Sequence, residues 1–307
     1  MKNILSERVG RVYDRMLENM GEIQEIRLRS DQPLIVRYRG EDLMVDAEGR
    51  CCTDKRYAFR TGQGDVEESM AYICQYSLYA YEDEMRQGFI TVQGGHRIGV
   101  AGRVVHHGGQ IQSMTHVSSL NIRVSHQIKG CGEAVFPWLW EYGLPCHTLI
   151  VSPPGGGKTT LLRDFIRLFS DGFGDYPGMS VSLIDERSEV GASYMGMPQN
   201  DLGMRTDILD GCPKAEGIQM MVRSMGPQVV AFDELGGAAD IRAVDYAVHS
   251  GCRVLTTMHG RRMQDVTRRL DAAGNLFERF VFLGSGQQTG QICRILDGSG
   301  QILYGVD

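Results

Sequence analysis

Short hydrophobic runs and helical spacings of hydrophobic residues follow one another along the 307-residue chain, but in a different order in its two halves. Before about residue 125, helical spacings over 6–20 and 65–85 are separated by runs that alternate hydrophobic and polar residues. The runs 88–93 and 96–105 are joined by Gly94-Gly95, which predicts a β-hairpin, and a last strand is predicted over 120–124. Residues 1–125 are therefore predicted to form a smaller α+β domain.

After residue 147, nearly continuous apolar runs alternate with helical segments. The runs cover 149–151, 180–184, 228–232 and 252–258, and such runs are typical of strands that are buried on both faces. Residues 147–307 are therefore predicted to form an α/β domain with a mainly parallel sheet between helices, and 126–146 a linker with a short helix. The segment 191–212 is rich in Gly, Met and Asn and is predicted to be a long ordered loop.

A glycine-rich segment lies between the first of these apolar runs and the helix that follows it. We predict that it binds the phosphates of ATP through Pro154, Gly155, Gly156, Gly157, Lys158, Thr159 and Thr160. Glycines let backbone N–H groups turn toward a phosphate, and the N-terminus of the next helix adds positive potential. Lys158 would reach the β- and γ-phosphates, and Thr159 would offer its hydroxyl to Mg²⁺. The strict motif has glycine at Ser152, but the three glycines keep the turn permissive.

Acidic residues follow two other apolar runs directly, as Asp185-Glu186 and Asp233-Glu234. Because ligands of parallel sheets bind at the carboxyl ends of the strands, we expect these residues near the phosphate loop. Asp233 is expected to bind Mg²⁺, and either Glu186 or Glu234 to activate water; the residues alone leave both open. His259, at the end of the next run, is a candidate sensor of the γ-phosphate.

Charge and hydropathy narrow the class of protein. The net charge of −6 and a pI near 5.8 give no support for a polyanion-binding surface over the whole molecule, so no nucleic acid is expected as a partner. No stretch approaches the ~18 apolar residues of a membrane span, and the first residues lack the apolar core of a signal peptide, which predicts a cytoplasmic protein. A nucleic-acid motor of the same fold and a nucleotide-binding scaffold without turnover stay as alternatives.

Four segments in order resemble the four boxes of the type II/type IV secretion and pilus motor ATPases: the phosphate loop, 185–189, 232–235 and 250–259. More specifically, the stretches 88–97, 119–123, 185–190 and 205–214 resemble the stage III sporulation AA family of endospore-forming bacteria. The resemblance extends over nearly the whole chain. It implies a RecA-like P-loop ATPase domain after a smaller N-terminal domain, in a homo-oligomer that is expected to be a hexamer.

The resemblance also implies a biological setting. It predicts Mg²⁺-dependent ATP hydrolysis that powers or assembles the channel between mother cell and forespore, at the cytoplasmic face of the outer forespore membrane. The implied partners are membrane proteins of the stage III sporulation A channel complex, with membrane contact only through them. The acidic-box glutamate usually activates water in the motor ATPases, which favours Glu186 over Glu234. An arginine of the N-terminal domain often reaches the nucleotide there, and Arg123 is the first candidate, followed by Arg97 and Arg103.

Overall fold

A computed structural model of the protein describes residues 2–20, 23–107, 110–125, 127–270, 276–284, 286 and 289–305. The chain divides into two compact units, Met1–His126 and Gln127–Asp307. Among the residues described, none of the helices combines the length and the apolar character that crossing a bilayer requires.

The first unit is built on an antiparallel sheet. Its described α-helices and strands are α1 (Glu7–Met20), β1 (Glu25–Arg29), β2 (Gln32–Pro33), β3 (Ile35–Tyr38), β4 (Glu41–Val45), β5 (Cys51–Cys52), β6 (Arg60–Thr61), α2 (Gln63–Ile73), α3 (Glu82–Gln87), β7 (Phe89–Val92), β8 (His96–His107) and β9 (Gln110–Arg123). The sheet has the order β5-β4-β3-β1-β9-β8-β7, while β2 pairs with β6. This is the predicted α+β arrangement.

The helices of this unit agree only in part with the sequence pattern. Helix α1 lies where it is predicted, because Ser6 Oγ accepts a hydrogen bond from the Val9 amide over 3.3 Å and caps the helix. The single helix predicted over 65–85 is wrong. Helix α2 ends at Ile73, and Gln75 and Tyr76 follow with φ of 48° and 61°, a left-handed conformation that no α-helix continues through.

The second unit is built on a larger, mainly parallel sheet. Its described α-helices and strands are β10 (Trp140–Glu141), β11 (Leu144–Pro145), β12 (Thr148–Ser152), α4 (Lys158–Asp171), β13 (Gly172–Phe173), β14 (Tyr176–Pro177), β15 (Val181–Asp185), β16 (Thr206–Asp210), α5 (Lys214–Ser224), β17 (Val229–Phe232), α6 (Ala238–His249), β18 (Arg253–His259), α7 (Met263–Leu270), β19 (Arg279–Leu283), β20 (Ile292–Asp297) and β21 (Ile302–Gly305).

The order of strands places the phosphate loop at the centre of this sheet. The order is β16-β15-β17-β18-β12-β19-β20-β21, with parallel pairs from β16 to β19 and antiparallel pairs after it. Strand β12, which leads into the phosphate loop, therefore lies between β18 and β19. The carboxyl ends of β15, β17, β18 and β12 lie along one edge, where ligands of parallel sheets bind.

Both faces of this sheet are covered by helices, as predicted. On β12, Ile150 packs into one hydrophobic core with Phe165 of α4, and the neighbouring Leu149 packs into the other with Ile218 of α5 and Val244 of α6. These side chains are fully or almost fully buried. Because a strand covered on both faces has no polar side, its sequence reads as a continuous apolar run.

The segment 191–212, predicted to be a loop, contains a strand. Residues Thr206–Asp210 form β16, which pairs in parallel with β15 from Val181↔Thr206 to Asp185↔Asp210. The strand lies at the end of the strand order, and its burial is only partial. Because this edge strand is only partly buried and contains Thr206, Asp207 and Asp210, it lacks the apolar run that marks the central strands.

Candidate functional site

The phosphate loop connects β12 to helix α4 through three glycines. Gly155 and Gly157 have φ of 71° and 92°, a left-handed conformation that a Cβ disfavours. Gly156 is required for a different reason, because a Cβ there would lie 2.4 Å from Ser152 Oγ. Ser152 is buried, and its hydroxyl donates to the Pro153 carbonyl over 2.9 Å. The side chain of Ser152 thus fills the space that Gly156 leaves open.

Lys158, the first residue of α4, is almost fully buried. Its Nζ donates to the carbonyl oxygens of Ser152 and Pro153 over 3.4 and 3.3 Å and lies 2.9 Å from His259 Nδ1. Burial lowers the pKa of Lys158, and the carboxylates that follow β17 oppose this shift. All three contacts are to uncharged acceptors, which hold an ammonium less strongly than a phosphate does.

Asp233, the residue after β17, has both carboxylate oxygens fixed. Its Oδ2 accepts from Thr159 Oγ1 over 2.7 Å, and its Oδ1 accepts from the Thr257 hydroxyl and from the Glu234 amide, the latter over 2.9 Å. Thr257 lies on β18, the strand between β17 and β12. Hydroxyl and carboxylate oxygens are the ligands that Mg²⁺ prefers. The adjacent oxygens of Thr159 and Asp233 therefore fit a magnesium ion.

Glu234 is held in an unusual backbone conformation, with φ of 49°. Its amide donates to Thr257 Oγ1 over 3.0 Å, and the Leu235 amide donates to the Thr257 carbonyl over 2.7 Å. Glu234 Oε1 lies 3.6 Å from His259 Nε2. An ammonium can only donate, so the contact with Lys158 makes His259 Nδ1 the acceptor and leaves Nε2 as the nitrogen that faces Glu234. His259 thus lies between Lys158, which it contacts, and Glu234, which is 3.6 Å away.

Glu186, the residue after β15, has a different partner. Its Oε2 lies 2.5 Å from Lys214 Nζ. A pocket of about 30 Å³ contains both glutamates and is lined by Asp185, Glu186, Arg187, Glu189, Lys214, Asp233 and Glu234. That volume is enough for one or two water molecules. The structure therefore brings both candidate glutamates to the same pocket, one beside a lysine and the other beside a histidine.

Asp185 organises the loop after β15 rather than facing solvent. Its buried carboxylate accepts hydrogen bonds from the amides of Glu189, Val190 and Gly191 over 3.0, 3.1 and 2.7 Å. Burial raises the pKa of Asp185, and these amides oppose the rise. Arg163 of α4 donates to the carbonyls of Val190 and Glu189 over 2.7 and 2.8 Å. The loop is thus attached to the helix that begins at the phosphate loop.

The three arginines proposed from the resemblance lie in the first unit. Arg123 ends β9, in register with Glu25 on β1 and Arg97 on β8. The Arg97 guanidinium lies 3.6 Å from the centre of the Phe89 ring, and Arg103 is exposed on β8. The phosphate loop and the acidic residues lie in the second unit. Whether any of these arginines reaches a nucleotide stays a prediction.

Three residues of the site have no assigned role in the sequence prediction. Thr257 carries a weak signal, because it is a polar residue inside an apolar run next to His259. Lys214 lies in a stretch that resembles the sporulation family but in none of the four motor boxes. Arg163 is hidden in the helical pattern after the phosphate loop. Each gains its meaning only from a partner that is distant in sequence, so spacing alone does not indicate it.

Comparison with known sequences identifies related proteins. A family model described as "Sporulation stage III, protein AA" matches residues 1–303. Over 286 residues, the chain is 35% identical to stage III sporulation protein AA of Bacillus subtilis (strain 168), and the alignment covers 92% of this chain and 89% of the relative. These matches confirm the resemblance to the sporulation family.

Comparison with solved structures identifies the fold. The X-ray structure of the Legionella pneumophila ATPase DotB matches with a TM-score of 0.60 at 15% identity, over 93% of this chain and 80% of DotB. The crystal structure of the pilus retraction motor PilT with bound ADP matches with a TM-score of 0.57 at 14% identity, over 89% and 77% of the two chains. At such identities the likeness concerns the fold alone, and the predicted RecA-like ATPase fold is confirmed.

Proposed function

Because the chain belongs to the family of sporulation stage III, protein AA, we propose that it hydrolyses ATP with Mg²⁺ and thereby powers or assembles a membrane channel complex between mother cell and forespore. The protein would act as a homo-oligomer at the cytoplasmic face of the outer forespore membrane. Its partners would be the membrane proteins of the stage III sporulation A channel complex. The hexamer and these partners come from the resemblance to motor ATPases and to the sporulation family.

One observation supports hydrolysis more than any other: His259 lies between Lys158 and Glu234, 2.9 Å from the lysine and 3.6 Å from the carboxylate. A loop that only bound phosphate would need Lys158 and the backbone amides. Here the imidazole that contacts this lysine also lies beside a carboxylate that lines a pocket of water size. Hydrolysis needs such a carboxylate to orient water against the γ-phosphate.

Lys158 and the loop amides would bind the phosphates. Among the residues described, the acceptors of the ammonium are all uncharged, so the β- and γ-phosphates of ATP would compete successfully for it. Its movement would release His259 Nδ1 and leave the imidazole free to contact the γ-phosphate. His259 would then report the presence of the γ-phosphate to Glu234.

Thr159 and Asp233 would hold the magnesium ion, Asp233 directly or through a water molecule. Bound Mg²⁺ neutralises charge on the β- and γ-phosphates. The Thr257 hydroxyl keeps Asp233 in place, because it donates to the carboxylate oxygen that Thr159 does not use.

The contacts of the two glutamates support Glu234 as the residue that activates water, in reverse of the order that the resemblance gives. Lys214 Nζ lies 2.5 Å from Glu186 Oε2, so one of the two carboxylate oxygens of Glu186 is already engaged by an ammonium. For Glu234, His259 Nε2 lies 3.6 Å from the carboxylate, beyond hydrogen-bond distance. Glu234 is therefore better placed to accept a proton from water.

Matched amide substitutions test this proposal. We expect Glu234→Gln to lower kcat by about 100-fold or more with little change in KM, and Glu186→Gln to lower it by less, in a phosphate-release assay with Mg²⁺. Lys158→Ala should abolish hydrolysis and weaken nucleotide binding. If Glu186→Gln lowers kcat as much as Glu234→Gln or more, Glu186 is the residue that activates water. Absence of hydrolysis by the wild-type protein in complex with its partners would favour a nucleotide-binding scaffold.

A further inference from the structure

Lys214 places a positive charge at the N-terminus of a helix. It is the first residue of α5, and the positive end of a helix dipole disfavours a cation there. Its side chain is nevertheless largely buried, at 15% exposure, beside the acidic pocket. Burying an ammonium at such a position requires compensating carboxylates.

Two carboxylates from different elements provide that compensation. Lys214 Nζ lies 2.5 Å from Glu186 Oε2 and 4.0 Å from Asp240 Oδ2. Asp240 lies in the first turn of α6, and the same Oδ2 accepts the amide of Gly236 over 2.9 Å. Gly236 is two residues after Glu234. Lys214 thus connects the turn that carries Glu186 to the turn that carries Glu234.

The second of these turns needs support on both sides. Glu234 has a left-handed backbone conformation, which a non-glycine residue keeps only where its surroundings fix it. On the N-terminal side, the Glu234 amide is fixed by Asp233 and Thr257. On the C-terminal side, the Leu235 amide donates to the Thr257 carbonyl, and the Gly236 amide donates to Asp240, whose carboxylate faces Lys214.

We propose that Lys214 is a positioning residue of the hydrolysis site: by pairing with Glu186 and Asp240, it sets the distance between the two glutamate-bearing turns and so places Glu234 toward water. The proposal rests on the proposed function. Lys214 acts through Asp240 and the Gly236 amide, without touching the nucleotide. A displacement of about 1 Å in a catalytic group is enough to cost about 100-fold in rate.

Kinetics of three lysine variants test the proposal. Lys214→Met is expected to lower kcat for ATP by about 10- to 100-fold, with KM and the Kd for a fluorescent ATP analogue within about 3-fold of wild type. Lys214→Arg should recover most of kcat, because the charge is kept. Lys129→Met is the matched control, since Lys129 forms a similar 2.6 Å ion pair with Asp201 outside the pocket lining. A large rise in KM with unchanged kcat would overturn the proposal.

A double-mutant cycle and hydrogen exchange complete the test. Asp240→Asn should lower kcat as Lys214→Met does, and the double variant should be no slower than the slower single variant, because both changes break one path. If the losses of kcat in the two single variants multiply in the double variant, Lys214 and Asp240 act independently, and the proposal is contradicted. In nucleotide-free protein, the peptide over 233–241 should exchange about 10-fold faster in Lys214→Met than in wild type or Lys129→Met. Unchanged exchange would overturn the positioning role. Because hydrogen exchange needs no turnover, this readout stays valid if the wild type hydrolyses no ATP, a result that would defeat the proposed function separately.

Discussion

The close fit between Ser152 and Gly156 makes a prediction that the usual phosphate-loop motif does not make. An alanine at 156 would place its Cβ 2.4 Å from Ser152 Oγ and 2.9 Å from Ser152 Cβ. The buried Ser152 side chain has little room to move, because its hydroxyl donates to the Pro153 carbonyl. The backbone of Gly156 is outside the left-handed region, so the expected cost of Gly156→Ala comes mainly from this overlap, with a smaller part from the Pro153 carbonyl oxygen at 3.1 Å.

Inserting a methyl group into a filled space costs about 1–3 kcal/mol. If the loop opens to relieve the overlap, nucleotide binding should weaken by about 5- to 150-fold. Titration with a fluorescent ADP analogue measures this change. Ser152→Gly removes the overlapping atoms, so the double variant Ser152→Gly/Gly156→Ala should recover most of the lost affinity.

Gly155→Ala is the matched control. Gly155 has φ of 71°, but no described heavy atom lies within 4 Å of the position that a Cβ would take, so alanine there is strained without a steric neighbour. We expect Gly155→Ala to weaken binding through a backbone cost of about 1–2 kcal/mol, and Ser152→Gly to leave that loss unchanged. Rescue of both alanine variants by Ser152→Gly, or of neither, would refute the steric explanation.

Two further predictions concern the second unit. Thr257→Val removes the hydroxyl that fixes the Asp-Glu turn and should lower kcat by about 10-fold or more. The control is Thr256→Val, because the buried Thr256 hydroxyl has no hydrogen-bond partner among the residues described. Thr256→Val should leave kcat unchanged and leave Tm unchanged or raised. Burial lowers the pKa of His147, whose Nδ1 accepts a hydrogen bond from the Val254 amide. The stabilising contribution of His147 is therefore present above about pH 6.5, the usual pKa of the unfolded chain, and is lost as pH falls through the lower pKa of the folded state. Tm measured from about pH 7 to pH 5 should fall less in His147→Gln than in wild type, and equal slopes would contradict this.

Much of the fold follows from the sequence because burial leaves a strong pattern. The central strands of the larger sheet are covered by helices on both faces, so β12 and β17 appear as apolar runs that end in polar residues. Where one side of a strand is open, the pattern weakens. Strand β16 begins with Thr206-Asp207, and β9 contains many polar residues over 110–119, so hydrophobicity indicates neither β16 nor that part of β9, although it does indicate the end of β9 over 120–123.

The sequence also predicts the part of the candidate site that lies at the ends of the apolar strands. Strand ends place Asp233 and His259 beside the phosphate loop, and the sequence indicates this through the order of its runs. The pairing of Glu186 with Lys214 depends on the packing of α5 against the end of β15. No spacing rule contains that pairing, which is why the sequence leaves the choice between the two glutamates open.

The most direct test of the central claim measures phosphate release per subunit against protein concentration, with mass in solution determined in parallel. We expect Mg²⁺-dependent hydrolysis by the wild-type protein that rises as the chain self-assembles, and none by Lys158→Ala at any concentration. Nucleotide binding without hydrolysis, in the assembled protein and with its partners present, would contradict the claim that this site turns over ATP.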